Sequence, residues 1–132
     1  MTEPTHPDAR VLIVDDEGSI VRLLTRALEG AGYTSPVGFT DPIAALAFTQ
    51  SNTPDLIVLD IDMPGMTGYD FLNDLSQYLN EDTFLPVLMV SGLPEAETRL
   101  HALQAGAINF LTKPIDLNVF IAHVHSLLET RY

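Results

Sequence analysis

Short apolar runs that end in acid or in a small polar residue recur along this chain. Between them, apolar positions return every three or four residues. "RVLIVDD" (10–16) is too short for a helix and rich in branched side chains, so it reads as a buried strand. From Ser19 onward Ile20, Leu23, Leu24, Ala27 and Leu28 follow helical spacing, and Gly30 and Gly32 supply a stop. "YTSPVGF" (33–39) predicts a second strand, which Pro36 moves towards a sheet edge. Asp41-Pro42 predicts a helix start, an N-cap acceptor followed by proline in the first turn, and that helix runs to about Ser51. "DLIVLD" (55–60) is the third strand, followed by a loop to Gly68 and a helix with Tyr69, Phe71, Leu72, Leu75 and Leu79 on its apolar side. "LPVLMVS" (85–91) is the fourth, and a helix from Glu95 to Ala105 ends at Gly106. "INFLT" (108–112) is the fifth, and Asp116 caps a last helix carrying Phe120, Ile121, Val124 and Leu128. Strands alternating with helices, each strand reading as buried on both faces, predict an α/β fold. The expected form is a doubly wound parallel sheet with helices on both sides.

Composition narrows the setting. At 132 residues and 46% hydrophobic, the chain suits one domain with one core. It has no cysteine, which excludes a disulfide framework and a thiolate metal site and suits a reducing compartment. The start, "MTEPTHPDAR", lacks the basic and apolar regions of a signal peptide, and no apolar run reaches a membrane-spanning length. The expectation is a cytoplasmic protein without a membrane partner, with a disordered tail over residues 1–9 and a domain over 10–130. Six basic against eighteen acidic residues, a formal net charge of −12, argue against direct binding to nucleic acid and leave room for a divalent cation.

The ends of the strands carry the chemistry, because ligands of open parallel sheets bind outside the carboxyl ends. Strand one ends in Asp15-Asp16, strand three in Asp60 with Asp62 just beyond, strand four in Ser91-Gly92, and strand five runs into Lys113-Pro114. Carboxylates brought together there would raise one another's pKa, and a hard cation such as Mg²⁺ or Mn²⁺ resolves the conflict. Metal, Lys and a hydroxyl donor form a clamp for a phosphoryl group, and the surplus carboxylate is the natural nucleophile. Taken singly the signals are weak: Asp15 equally suits a turn cap, Ser91 a turn, and Phe110 the core. His123 and His125 stand at i and i+2 on a helix and point apart, which argues against chelation, while His6 and His101 read as surface residues.

"VLIVDDE", the pattern Asp60, Met63, Pro64, Gly65, Gly68, then "VSG" and "FLTKP", each at a strand end and in this order, resemble the receiver domain of two-component response regulators. The resemblance covers residues 10 to 130 and implies a flavodoxin-like five-stranded sheet of order 2-1-3-4-5 with five helices. It implies that Asp60 accepts a phosphoryl group from a histidine kinase or phosphotransfer protein. Mg²⁺ (or Mn²⁺) would be held by Asp16, by Asp15 mostly through water, by Asp60 and by the backbone carbonyl of Asp62. Ser91 and Lys113 would bind the phosphoryl oxygens, Lys113-Pro114 would be cis, and Ser91 with Phe110 would form the switch. The domain would assist its own phosphorylation and hydrolysis without turning over an external substrate. Its helix 4, strand 5, helix 5 surface would control an output domain or protein.

Some positions depart from the family's common pattern. Ser91 replaces Thr and keeps the hydroxyl, whereas Phe110 replaces Tyr, so a switch there must work by packing. Asp62 adds a fourth carboxylate, expected to tighten metal binding and alter the phosphoryl lifetime, and Leu93 is expected to shield the bond from water. "GAINF" and the neutral last helix lack the charges of one familiar salt-bridged dimer, leaving a phosphorylation-dependent homodimer through another surface as an open alternative. Ending just past the last predicted helix suits either a stand-alone regulator or the front of a longer protein. Asp60-Ile61-Asp62 also matches the D-x-D of haloacid-dehalogenase phosphatases. There, however, the D-x-D precedes the acidic pair, and this chain has no room for a cap domain.

Overall fold

The computed structural model describes residues 4–79, 84–92, 96–107 and 109–131. Five parallel strands, β1 (Arg10–Val14), β2 (Ser35–Phe39), β3 (Leu56–Asp60), β4 (Val87–Ser91) and β5 (Asn109–Thr112), form one sheet in the order β2-β1-β3-β4-β5. They alternate with α1 (Gly18–Gly30), α2 (Pro42–Ser51), α3 (Gly68–Ser76), α4 (Ala96–Gln104) and α5 (Leu117–Arg131). The alternation of elements predicts the doubly wound parallel sheet, and its order is the flavodoxin-like one that the resemblance implies.

The two-residue period of the strands divides the core into two layers. Val11 and Ile13, Leu56 and Val58, Leu88 and Val90 face one side, where Leu24 and Leu28 of α1 and Phe120, Val124 and Leu128 of α5 cover them. Leu12 and Val14, Ile57 and Leu59, Val87 and Met89 face the other, against Ala45 and Leu46 of α2, Phe71 and Leu75 of α3, and Ala102 of α4. The expectation that every strand is buried on both faces holds for β3 and β4 but not for β2, whose residues are at best half-buried. The reason is position: β2 is an edge, paired only with β1. Phe39 accepts from Asp15 across that pair, so alternation turns Pro36 and Gly38 to the open side, where the donor that proline lacks is not needed.

Local chemistry sets the element ends. Asp41 accepts from Ile43 N–H to start α2, and Asp116 accepts from Asn118 and Val119 to start α5. Thr67 and Asp70 form a reciprocal capping box at the head of α3. Strand β2 begins two residues later than expected: Tyr33 is buried instead, its hydroxyl bonded to Nδ1 of His125. Leu79, expected on α3, lies beyond its last residue, Ser76. The expected helix start at Glu95 and strand start at Ile108 lie outside the described residues. The segment expected to be a disordered tail is held from residue 4 on. Ala9 is buried and donates to the His6 carbonyl, the Pro7 carbonyl accepts from Thr34, and Pro4 sits over Gly32. His6 is half-buried near Glu129 rather than free on the surface. His123 and His125 serve different partners, Asn109 and Tyr33, as their spacing required.

Candidate phosphoryl-transfer site

In this strand order the direction of winding reverses between β1 and β3, and the crevice outside that pair is where such sheets bind ligands. The chain places Asp15 and Asp16 directly after β1 and Asp60 at the last position of β3. One carboxylate oxygen from each lies within 4.8 Å of those of the other two. Asp15 and Asp60 are each 3% exposed, whereas Asp16 is open to solvent. Lys113, just past β5, reaches back across the strand ends: its Nζ is 3.0 Å from Asp15 Oδ2, 3.5 Å from Asp60 Oδ1 and 3.2 Å from Glu17 Oε1. The Lys113–Pro114 bond is cis. Asp15 Oδ1 accepts from the Glu17 backbone N–H, which ties the first carboxylate to the head of α1.

One ammonium facing three carboxylates leaves excess negative charge, felt most by the buried acids. Burial, then the charge of Asp15, push the Asp60 carboxyl up to about 7 against the pull of Lys113. Burial also raises Asp15, partly offset by the Glu17 amide and by Lys113. For Lys113 burial works the other way, yet the hydrogen bond and charge of Asp15, with Asp60 and Glu17, hold its pKa above the ordinary lysine value. The result is a buried carboxylate whose ionised form is disfavoured, beside a fixed cation, in a cleft of about 390 Å³ lined by Asp16, Glu17, Asp60, Asp62, Gly92 and Lys113.

The loop after Asp60 is shaped by close approach. The Gly68 N–H donates to the Ile61 carbonyl, and a Cβ at Gly68 would sit 2.7 Å from the Asp60 carbonyl oxygen. Gly65 holds φ +79, which favours glycine. Asp62, exposed at the cleft, accepts at Oδ2 from the Ser91 hydroxyl at 3.2 Å, and Ser91 is fully buried at the end of β4. Phe110 is buried on β5 with the Arg99 guanidinium of α4 5.4 Å from its ring centre. Leu93 lies outside the described residues.

Sequence and fold both match a known family. Residues 11–125 match the response regulator receiver domain. The chain belongs to that family. It is 38% identical over 121 residues to the response regulator PleD of Caulobacter vibrioides, covering 90% of this chain and 26% of PleD. It is 38% identical over 119 residues to the DNA-binding transcriptional regulator NtrC of Salmonella typhimurium, covering 90% of this chain and 24% of NtrC. The chain thus spans about a quarter of the length of these curated relatives. Among solved structures it resembles the chemotaxis protein CheY4 of Vibrio cholerae, with a TM-score of 0.80 and 32% identity over 91% of this chain and 98% of that one. It is therefore a receiver domain, a signalling module of two-component systems.

Of the residues singled out in the sequence, Asp15, Asp16, Asp60 and Lys113 converge directly, and Ser91 joins them through Asp62. Phe110 sits behind, in the core. Sequence reasoning passed over Glu17 as a partner of Lys113, although it is the last letter of the quoted "VLIVDDE". It also passed over Arg99 and the stacking of His101 on Tyr69, with ring centres 4.1 Å apart. His101 is exposed, as expected, and its stacking on Tyr69 lay beyond the sequence because no local spacing links α3 to α4.

Proposed function

We propose that this receiver accepts a phosphoryl group on Asp60 from a histidine kinase or phosphotransfer protein, in a reaction that needs Mg²⁺ or Mn²⁺. The observation that carries the reading is the convergence of three carboxylates and one lysine on the buried end of β3. The donor set fits such a cation: the ligand atoms are all oxygen, they lie close together, and Lys113 alone does not balance them. Asp16, Asp60, the backbone carbonyl of Asp62 and, through water, Asp15 would hold it. When bound, it supplies positive charge that favours ionised Asp60 and neutralises phosphoryl oxygens.

An Oδ of Asp60 attacks phosphorus in line with the phosphohistidine bond. The P–O bond forms as the P–N bond breaks, and the imidazole nitrogen leaves with the electron pair. Lys113 then pairs with a phosphoryl oxygen, and Ser91 donates its hydroxyl to another. Hydrolysis of the acyl phosphate returns Asp60, so the domain assists its own turnover without an external substrate. Movement of Ser91 and repacking of Phe110 pass the change to the surface of α4, β5 and α5, which would control an output domain or protein. A homodimer that forms on phosphorylation through this surface is one such output. Among the described residues no helix is long and apolar enough to cross a membrane, and the reading places the protein in the cytoplasm.

Intact-mass spectrometry after incubation with acetyl phosphate tests this. The wild type should gain one phosphoryl group only when Mg²⁺ is present, and Asp60→Asn should gain none. A gain in the mutant, or in the wild type under chelation, would contradict the assignment.

A further inference from the structure

Ser91 and Asp62 end or follow adjacent strands, and the bond between them joins a fully buried hydroxyl to an exposed carboxylate at the cleft. A serine hydroxyl carries one proton. While that proton is donated to Asp62 Oδ2, it is not available to a phosphoryl oxygen on Asp60. The two hydrogen bonds therefore compete, and the first stabilises the unphosphorylated arrangement. Asp62 is not needed to satisfy Lys113, whose carboxylate partners among the described residues are Asp15, Glu17 and Asp60. Asp62 also follows directly on Ile61, whose carbonyl accepts from the Gly68 N–H, so the backbone that carries the acceptor is pinned beside β3.

We infer that the Asp62 side chain is a positioning group that holds the Ser91 hydroxyl away from the phosphoryl position and so opposes phosphorylation. The inference rests on the phosphoacceptor reading of Asp60. It is distinct from the plain electrostatic effect of a further negative charge in the cleft. Asn at position 62 removes the charge and keeps an acceptor, whereas Leu or Ala removes both.

The test is calorimetric titration with beryllium trifluoride, a tetrahedral mimic of the phosphoryl group, at saturating Mg²⁺. Asp62→Leu should bind it about three- to tenfold more tightly than Asp62→Asn, the usual worth of one hydrogen bond. Asp62→Ala, a second acceptor-free variant, should agree with Asp62→Leu. In a Ser91→Ala background the acceptor and acceptor-free variants should bind alike, because the donor is gone. Equal affinities of Asp62→Asn and the acceptor-free variants with Ser91 intact would overturn the inference and leave only charge. So would a difference that persists without Ser91. A wild type that binds no beryllium trifluoride would overturn the phosphoacceptor reading, and this inference with it.

Discussion

At the scale of single residues, the site is a local conflict held in place by the rest of the fold. Asp60 is buried beside Asp15, and its ionised form is disfavoured despite the pull of Lys113. Its folded pKa, about 7, lies above the ordinary carboxylate value of 3.8. The stability tied to its protonated form is thus complete below about pH 4 and is lost as pH rises through 7. A shift of that size corresponds to at most about 4 kcal/mol, and a cleft open to water reduces it to on the order of 2 kcal/mol. Metal-free Asp60→Asn should therefore match the wild type near pH 4 and exceed it by roughly 2 kcal/mol at pH 7.5. Chemical denaturation across that range checks the difference, and equal stability at pH 7.5 would mean that Asp60 ionises without penalty. Asp60 was legible in the sequence because an acid closing a fully apolar strand needs a reason. The Asp62 side chain was legible as a neighbour, but its bond to Ser91 was not, because that contact depends on β3 lying beside β4.

At the scale of elements, the loop from Asp60 to the head of α3 matters most. The Thr67 and Asp70 capping box fixes where α3 begins, and Gly68 lets that turn approach the β3 backbone. Gly68→Ala would force a Cβ to 2.7 Å from the Asp60 carbonyl oxygen, against main chain that cannot swing aside. It should cost about 1–3 kcal/mol and slow modification of Asp60 by acetyl phosphate more than Thr67→Ala does. Thr67→Ala removes a cap worth about 1 kcal/mol without entering that contact. Thermal melts and timed mass spectra of the two variants check the comparison. Strand and helix order followed from apolar periodicity alone, and Asp41, Gly106 and Asp116 marked boundaries through familiar cap chemistry. Pro36 marked β2 as an edge strand, and its half-exposure is what an edge strand shows, although "YTSPVGF" by itself does not name the strand beside it. Tyr33 was read as strand because its partner, His125, stands 92 positions away.

At the scale of the whole molecule, one sheet joins both apolar layers, so damage to either should be felt globally. Phe120 is fully buried in the layer formed with α1 and α5, and Phe71 in the layer formed with α2, α3 and α4. Phe120→Ala and Phe71→Ala should each lower stability by about 3–5 kcal/mol and leave a single unfolding transition, as small domains usually show. Two separate transitions by circular dichroism and tyrosine fluorescence would mean that the layers fold independently. The same sheet brings residues as far apart as Asp15 and Lys113 to one crevice, which is why four scattered fragments of sequence describe one site. The account stands or falls on which side chain carries the phosphoryl group. Sodium borohydride reduces an aspartyl phosphate to homoserine, so acetyl phosphate treatment followed by reduction and peptide mapping locates it directly. The account predicts homoserine at position 60 alone, formed only with Mg²⁺ present, whereas reduction at Asp15, Asp16 or Asp62 in its place would contradict it.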